Sequence, residues 1–190
     1  MSEIMNHLEA SLATDAIVTN GAGNYTVWVH RFHRYRKYIS QLAPISGSMG
    51  YGLPAAVAAA RVMPDRQVLC FAGDGCFMMH GQELATAVQY KCKLTVIVIN
   101  NGMYGTIRMH QELKYPGRVS GTDLVNPDFA ALAKSYGCHG ETVVQTDQFA
   151  DAWHRACAYE GPSLIELQVD PDQITPTRTI KDIRRAAQVS

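Results

Sequence analysis

Short apolar runs punctuate the chain, and the stretches between them place apolar residues at helical spacing. Four runs, at 15–19, 67–72, 94–99 and 163–169, are β-branched or aliphatic and mostly continuous, the pattern of strands covered on both faces. The first twelve residues read as an amphipathic helix through Ile4, Leu8 and Leu12. A helix is outlined by Asn126 as N-cap, Pro127 at the first helical position, an inward face of Phe129, Leu132, Ala133 and Tyr136, and a stop at Gly137. Another runs over 147–159 with Phe149, Trp153 and Ala156 inward, and the small residues of 48–63 predict a closely packed helix. This alternation predicts an α/β fold, a doubly wound, mostly parallel sheet with right-handed crossovers and helices on both faces. The longest unpatterned stretch, 114–126, is a loop of a length that often carries function.

Composition narrows the partners. The 190 residues suffice for one domain, and 17 Lys and Arg balance 17 Asp and Glu. No global field therefore draws the chain to nucleic acid or to an anionic membrane. The run "HRFHRYRKY" at 30–38 is basic and aromatic, but in a neutral chain it reads as a solvated helix end or a subunit contact. The five cysteines, Cys70, Cys76, Cys92, Cys138 and Cys157, form no C-x-x-C pair, which fits buried thiols in a reducing, cytoplasmic setting. The N-terminus has acidic Glu3 and Glu9 in place of a secretory leader's basic patch, and no run approaches the roughly 20 apolar residues of a membrane span.

Candidate chemistry lies at 73–102, "GDGCFMMHGQELATAVQYKCKLTVIVINNG", where Asp74 closes one apolar run and Asn101 closes the next. In a parallel sheet, ligands bind beyond the carboxyl ends of the strands. A crossover helix between the runs would bring both side chains to that edge. One carboxylate, one amide oxygen and a backbone carbonyl make a hard, all-oxygen set. It is too sparse to hold a divalent ion alone, and Mg²⁺ in such a set takes a ligand's phosphates and water at about 2.0–2.1 Å. Gly73 and Gly75 let the backbone turn sharply and bring N–H groups close to an anion. The combination predicts a metal-bridged diphosphate.

Gly73-Asp74-Gly75 followed by Asn100-Asn101 resembles the signature of thiamine diphosphate enzymes, and "SGSMGYGLPAAVAAA" at 46–60 is similar to the preceding segment of acetohydroxyacid (acetolactate) synthase-like members. The likeness covers roughly residues 3–170 and only the C-terminal, diphosphate-binding domain of those enzymes. It implies Asp74 and Asn101 as side-chain ligands of Mg²⁺, with the Met103 carbonyl as a third. Met49 would wedge thiamine diphosphate into a bent shape, and the Gly47 carbonyl would accept a hydrogen bond from its pyrimidine amino group. Gly23, Asn24 and Tyr25 would contact the diphosphate, and Ser48, Cys76, Tyr104 and Gly105 complete the cofactor-binding set. Ile107 stands where some decarboxylases of the family carry a proton-donating glutamate, which tilts the resemblance towards carboligation. His80, His110 or another chain remain as proton sources.

The glutamate that activates the cofactor belongs, in that family, to a pyrimidine-binding domain, and nothing in this sequence resembles one. The resemblance thus implies a single diphosphate-binding domain over 1–190: a split subunit, a fragment of a longer enzyme or an inactive relic. It would act with a pyrimidine-binding partner in a homo- or hetero-oligomer on a 2-oxo acid, the Gly- and Ala-rich face at 47–60 suiting close subunit packing. Two other readings stand beside it. One is a non-catalytic interaction domain. The other takes "GAGNYT" at 21–26 as a dinucleotide fingerprint, although Thr26 replaces its third glycine and no acidic residue stands near position 41.

Overall fold

The computed structural model describes residues 1–189, the last of them by its backbone alone. Six parallel strands, β1 (Ile17–Asn20), β2 (Gln41–Leu42), β3 (Val68–Gly73), β4 (Thr95–Asn100), β5 (His139–Val143) and β6 (Ser163–Gln168), form one sheet in the order β2-β1-β3-β4-β6-β5. The helices are α1 (Ser2–Ser11), α2 (Thr26–Phe32), α3 (Gly52–Val62), α4 (Asp74–His80), α5 (Glu83–Gln89), α6 (Gly105–Lys114), α7 (Phe129–Ser135), α8 (Phe149–Ala158) and α9 (Ile180–Val189). No helix among the described residues is long and apolar enough to cross a membrane.

Side chains alternate across the pleat, so continuous apolar runs fill two layers at once. On one face Leu69, Phe71, Ile97 and Ile165 meet Met5 and Leu8 of α1, Trp28 of α2, and Phe149 and Trp153 of α8. On the other, Val68, Cys70, Val96, Val98 and Leu164 meet Ala56 and Ala60 of α3, Leu84 of α5, and Phe129 and Ala133 of α7. All five cysteines are free.

Several boundaries differ from the sequence expectations. The small-residue helix starts at Gly52, not at residue 48, because Gly50 turns the backbone to φ 80°, outside the helical region; Gly52 itself lies where a Cβ would come to 3.0 Å from the backbone of Asn20 and Gly21. The crossover between β3 and β4 is two helices. The break falls at Gly81 and Gln82, where the Phe77 ring fills the space a Cβ on Gly81 would need. Asn126 is not the N-cap of α7. Asp128 is, its Oδ1 accepting from the Ala131 N–H at 2.8 Å, because the Asn126 side chain is drawn into the site. In the basic run, α2 ends at Phe32 and the chain beyond it is tied to α1. Glu9 accepts from the Arg34 N–H at 3.1 Å and from the Arg36 guanidinium, and lies 3.0 Å from His33 Nδ1.

The C-terminal strap is not among the expected elements, although Ile180 and Ile183 stand at helical spacing among polar residues. After β6, a small antiparallel hairpin of β7 (Gln173–Thr175) and β8 (Arg178–Thr179) leads into α9, which packs against α6. Ile174, Ile180 and Ile183 bury against Met103 and Met109. Arg184 grips Glu112 with two bonds, Nε at 2.8 Å and Nη2 at 2.7 Å, while Arg108 Nε and the Gly117 N–H supply two more donors.

Arg184, first, and the other donors hold the Glu112 carboxyl at about 2, below its ordinary 4.5. A depressed folded-state value stabilises the fold above pH 4.5, and that contribution is lost as pH falls towards 2. Glu112→Gln is therefore expected to lower stability by about 1–3 kcal/mol at pH 7, allowing for the solvent screening of Arg184. Denaturation series at pH 7, 4 and 2.5 should show the gap between variant and wild type narrowing with acid.

Candidate functional site

The chain leaves β1 and β3 towards opposite edges of the sheet, so their carboxyl ends border a topological switch point, where such folds place ligands. A cavity of about 520 Å³ opens there. It is walled by the loops after β1, β3 and β4, by Val143–Thr146 after β5, and by Gln173 and Ile174 of the strap. Its volume lies within the range of about 300–1,000 Å³ usual for small-molecule sites.

After β1 the backbone passes Gly23 at φ 155°, where an added Cβ would strike the Tyr25 ring at 2.8 Å. Thr26, the residue that spoils the dinucleotide pattern, donates its hydroxyl to the Gly23 carbonyl at 2.8 Å. Asn24 is held by the Thr106 hydroxyl at 2.8 Å and by Met109 Sδ at 3.5 Å. Tyr25 is buried with its hydroxyl 3.5 Å from Cys76 Sγ, and burial pushes its ionisation well above the ordinary value.

After β3 the helix α4 starts directly on Asp74, only 2 % exposed. Gly75 leaves no room for a side chain, since a Cβ would lie 2.5 Å from the Tyr104 ring. Asp74 Oδ1 accepts the Gly75 N–H at 2.8 Å, and Oδ2 accepts the Gly102 N–H at 2.8 Å. Burial raises the Asp74 carboxyl above its ordinary value, and donors from Gly75, Asn126, Gly102 and Met103 oppose that shift. After β4, Gly102 turns the chain at φ 69°, and Asn101 Oδ1 accepts the Met103 N–H at 3.2 Å. The two oxygen-bearing side chains thus grip successive amides of one turn.

That turn is clipped from outside. Tyr104 donates its N–H to the Thr122 carbonyl and Leu124 to that of Gly102, each at 2.8 Å, and Met103 bridges to Asp123. The 114–126 stretch is therefore partly built into the site, with α6 extending through Lys114.

Of the residues expected to bind cofactor, Gly23, Asn24, Tyr25, Gly47, Met49, Gly73, Asp74, Gly75, Cys76, Asn101, Met103, Tyr104 and Gly105 all line the cavity. Ser48 does not; it is exposed and its hydroxyl lies 2.8 Å from that of Ser46. Ile107 lines the cavity and is 52 % exposed, whereas His80 and His110 lie outside the lining. The sequence reading missed Asn100, Asn126 and Glu166. Glu166 carried a legible signal, a carboxylate inside the apolar run "SLIELQV".

Oxygen donors at Asp74 and Asn101, one carboxylate between them, suit a hard cation that draws its remaining ligands from elsewhere. Among the described residues no group of three or more His, Cys, Asp or Glu side chains is arranged to hold a metal. The glycine cradle at Gly73 and Gly75 and the chamber beside it fit a diphosphate with an organic moiety.

The fold and this site define the chain as a member of the thiamine pyrophosphate enzymes: residues 21–167 match the family described as "Thiamine pyrophosphate enzyme, C-terminal TPP binding domain", and the chain belongs to it. It is similar to the acetolactate synthase large subunit of Parasynechococcus marenigrum, 38 % identical over 162 residues, covering 83 % of this chain and 26 % of that protein. Acetolactate synthase isozyme 2 large subunit of Escherichia coli is 34 % identical over 171 residues, covering 88 % and 31 %. The putative thiamine pyrophosphate-containing protein YdaP of Bacillus subtilis is 34 % identical over 178 residues, covering 92 % and 30 %. The chain thus spans under a third of the length of these relatives.

Proposed function

We propose that this rim binds thiamine diphosphate through Mg²⁺, with the side chains of Asp74 and Asn101 and the carbonyl of Met103 as the protein's ligands. The domain would serve an acetolactate synthase-like enzyme that decarboxylates or joins 2-oxo acids. The observation that carries the reading is the convergence of Asp74 and Asn101 on the amides of Gly102 and Met103.

In this reading the bound cofactor would supply the nucleophilic and electron-accepting chemistry that cleavage and ligation of a 2-oxo acid need. The chain's own residues bind and orient. Gly73 and Gly75 admit the diphosphate to close backbone approach, and the loop through Gly23, Asn24 and Tyr25 closes over it. Met49, packed on the core layer of α1, α2 and α8, is a firm apolar support for the organic portion. Ile107 offers no proton at the cavity wall, which favours ligation over simple release of an aldehyde. The activating glutamate would come from a pyrimidine-binding domain on another segment or subunit, so 1–190 is one diphosphate-binding domain of a larger assembly.

Calorimetric titration of the chain, alone and mixed with a pyrimidine-binding domain of a relative, tests this. Thiamine diphosphate should bind only when Mg²⁺ is present, and NAD should give no heat. Binding indifferent to Mg²⁺, or binding of NAD in its place, would overturn the proposal.

A further inference from the structure

A chain of partly buried hydrogen bonds approaches Asp74 from behind, and its polarity is fixed at both ends. Glu166 is 3 % exposed, and its carboxylate accepts the Thr142 hydroxyl at 2.9 Å and the Asn100 Nδ2 at 2.6 Å. A carboxylate can only accept, so the nitrogen of Asn100 must face Glu166 and its Oδ1 must face away. That Oδ1 accepts from Asn126 Nδ2 at 2.9 Å and from the Gly102 N–H at 3.1 Å. The second hydrogen of the same Asn126 nitrogen goes to Asp74 Oδ2, at 2.8 Å. Both hydrogens of one amide group are thereby committed, one to each strand-end side chain.

The consequence falls on the two oxygens of Asp74. Oδ2 accepts from Asn126 and from the Gly102 N–H and Oδ1 accepts the Gly75 N–H, while the neighbouring Met103 N–H is committed to Asn101 Oδ1 at 3.2 Å. A carboxylate oxygen has two lone pairs, so Oδ2 is saturated and Oδ1 keeps one free. We infer that Asn126 is a positioning residue: anchored through Asn100 to Glu166, it fixes the rotation of the Asp74 carboxylate and leaves Oδ1 as the oxygen that meets a cation. This rests on the proposed role of Asp74 as a cation ligand and adds the group that orients it. Outer partners of metal ligands act in this way, and losing one typically weakens affinity by about 10–100-fold.

The geometry also explains the loop that carries Asn126. The bonds of Tyr104 and Leu124 to Thr122 and Gly102 seat the loop on the turn of Met103, and Asp128 takes over the capping of α7. Asn126 is thus free of any duty to the helix beyond it.

The test is Mn²⁺ uptake by the full 190-residue chain with thiamine diphosphate present, read from the loss of the free-ion paramagnetic resonance signal beyond that caused by thiamine diphosphate alone. Wild type, Asn126→Ala and Asn126→Leu are compared, with melting curves recorded without metal. Leucine shares the γ-branched shape of asparagine, at a larger volume, but neither donates nor ligates, so it fills the space while removing both hydrogen bonds. Both variants are expected to bind Mn²⁺ about 10–100-fold more weakly than wild type. Wild-type affinity in either folded variant would overturn the inference, and Asn126→Leu decides the matter if the alanine variant fails to fold. Failure of the wild-type chain to take up Mn²⁺ even when mixed with a pyrimidine-binding domain of a relative would instead refute Asp74 as a ligand, and the positioning role with it.

Discussion

Asp74→Ala is expected to weaken Mg²⁺-dependent binding of thiamine diphosphate by about 100-fold or more, since even outer partners of metal ligands are worth about 10–100-fold. The variant removes the one carboxylate among the proposed ligands. Its effect on folding should be smaller, because two opposing effects meet at this position. The N–H groups of Gly75 and Gly102 and the amide of Asn126 lose their acceptor, which costs about 1–3 kcal/mol. Against this, a charge is no longer buried, and it is burial that raises the Asp74 carboxyl. Calorimetry with and without Mg²⁺, paired with a melting curve, separates the two. Unchanged affinity in a folded Asp74→Ala protein would end the case for a cation at this rim.

Phe129→Ala is expected to have the largest effect on stability that also reaches the site. The ring is fully buried and meets Phe77 edge-on at 5.5 Å between centroids. Truncating a buried phenylalanine costs about 3–5 kcal/mol, and in a protein of this size that lowers Tm by roughly 6–20 °C. Phe129 opens α7, three positions after Asn126, and Phe77 lies on α4, three positions after Asp74. The pair therefore links the two segments whose side chains meet at the cation position. Phe149→Ala removes an equally buried ring on the opposite face of the sheet, stacked on Trp153. Both variants should lose similar stability, but only Phe129→Ala should also weaken Mg²⁺-dependent binding while still folded. Equal binding losses in the two would indicate general loosening.

The sheet was legible because its central strands are covered on both faces and so appear as unbroken apolar runs. β2 and β5 were not: Gln41–Leu42 is two residues at one edge, and His139–Val143 at the other edge mixes Gly140 and Glu141 with its apolar positions. The candidate site was legible where it depends on strand ends, as at Asp74 and Asn101. It was illegible where it depends on contacts distant in sequence. Asn126 stands beside Pro127 in a sequence that reads well as a helix start, and only the fold shows its amide turned towards a carboxylate 52 positions earlier. The docking of the strap depends on distant contacts as well. Ile174 is a lone apolar residue in β7, while Ile180 and Ile183 lie one turn apart on α9, a legible helical pattern whose partners, Met103 and Met109, only the fold reveals.

Ile99, Val143 and Leu167 belong to the core layer of α1, α2 and α8, yet they also line the cavity. A shorter side chain at any of the three therefore widens a chamber already open to solvent, without leaving a sealed void among packed neighbours. Such changes would reshape the floor beneath a guest molecule for less than the usual penalty of hollowing a protein interior, which makes these sheet positions a natural place for guest preference to drift.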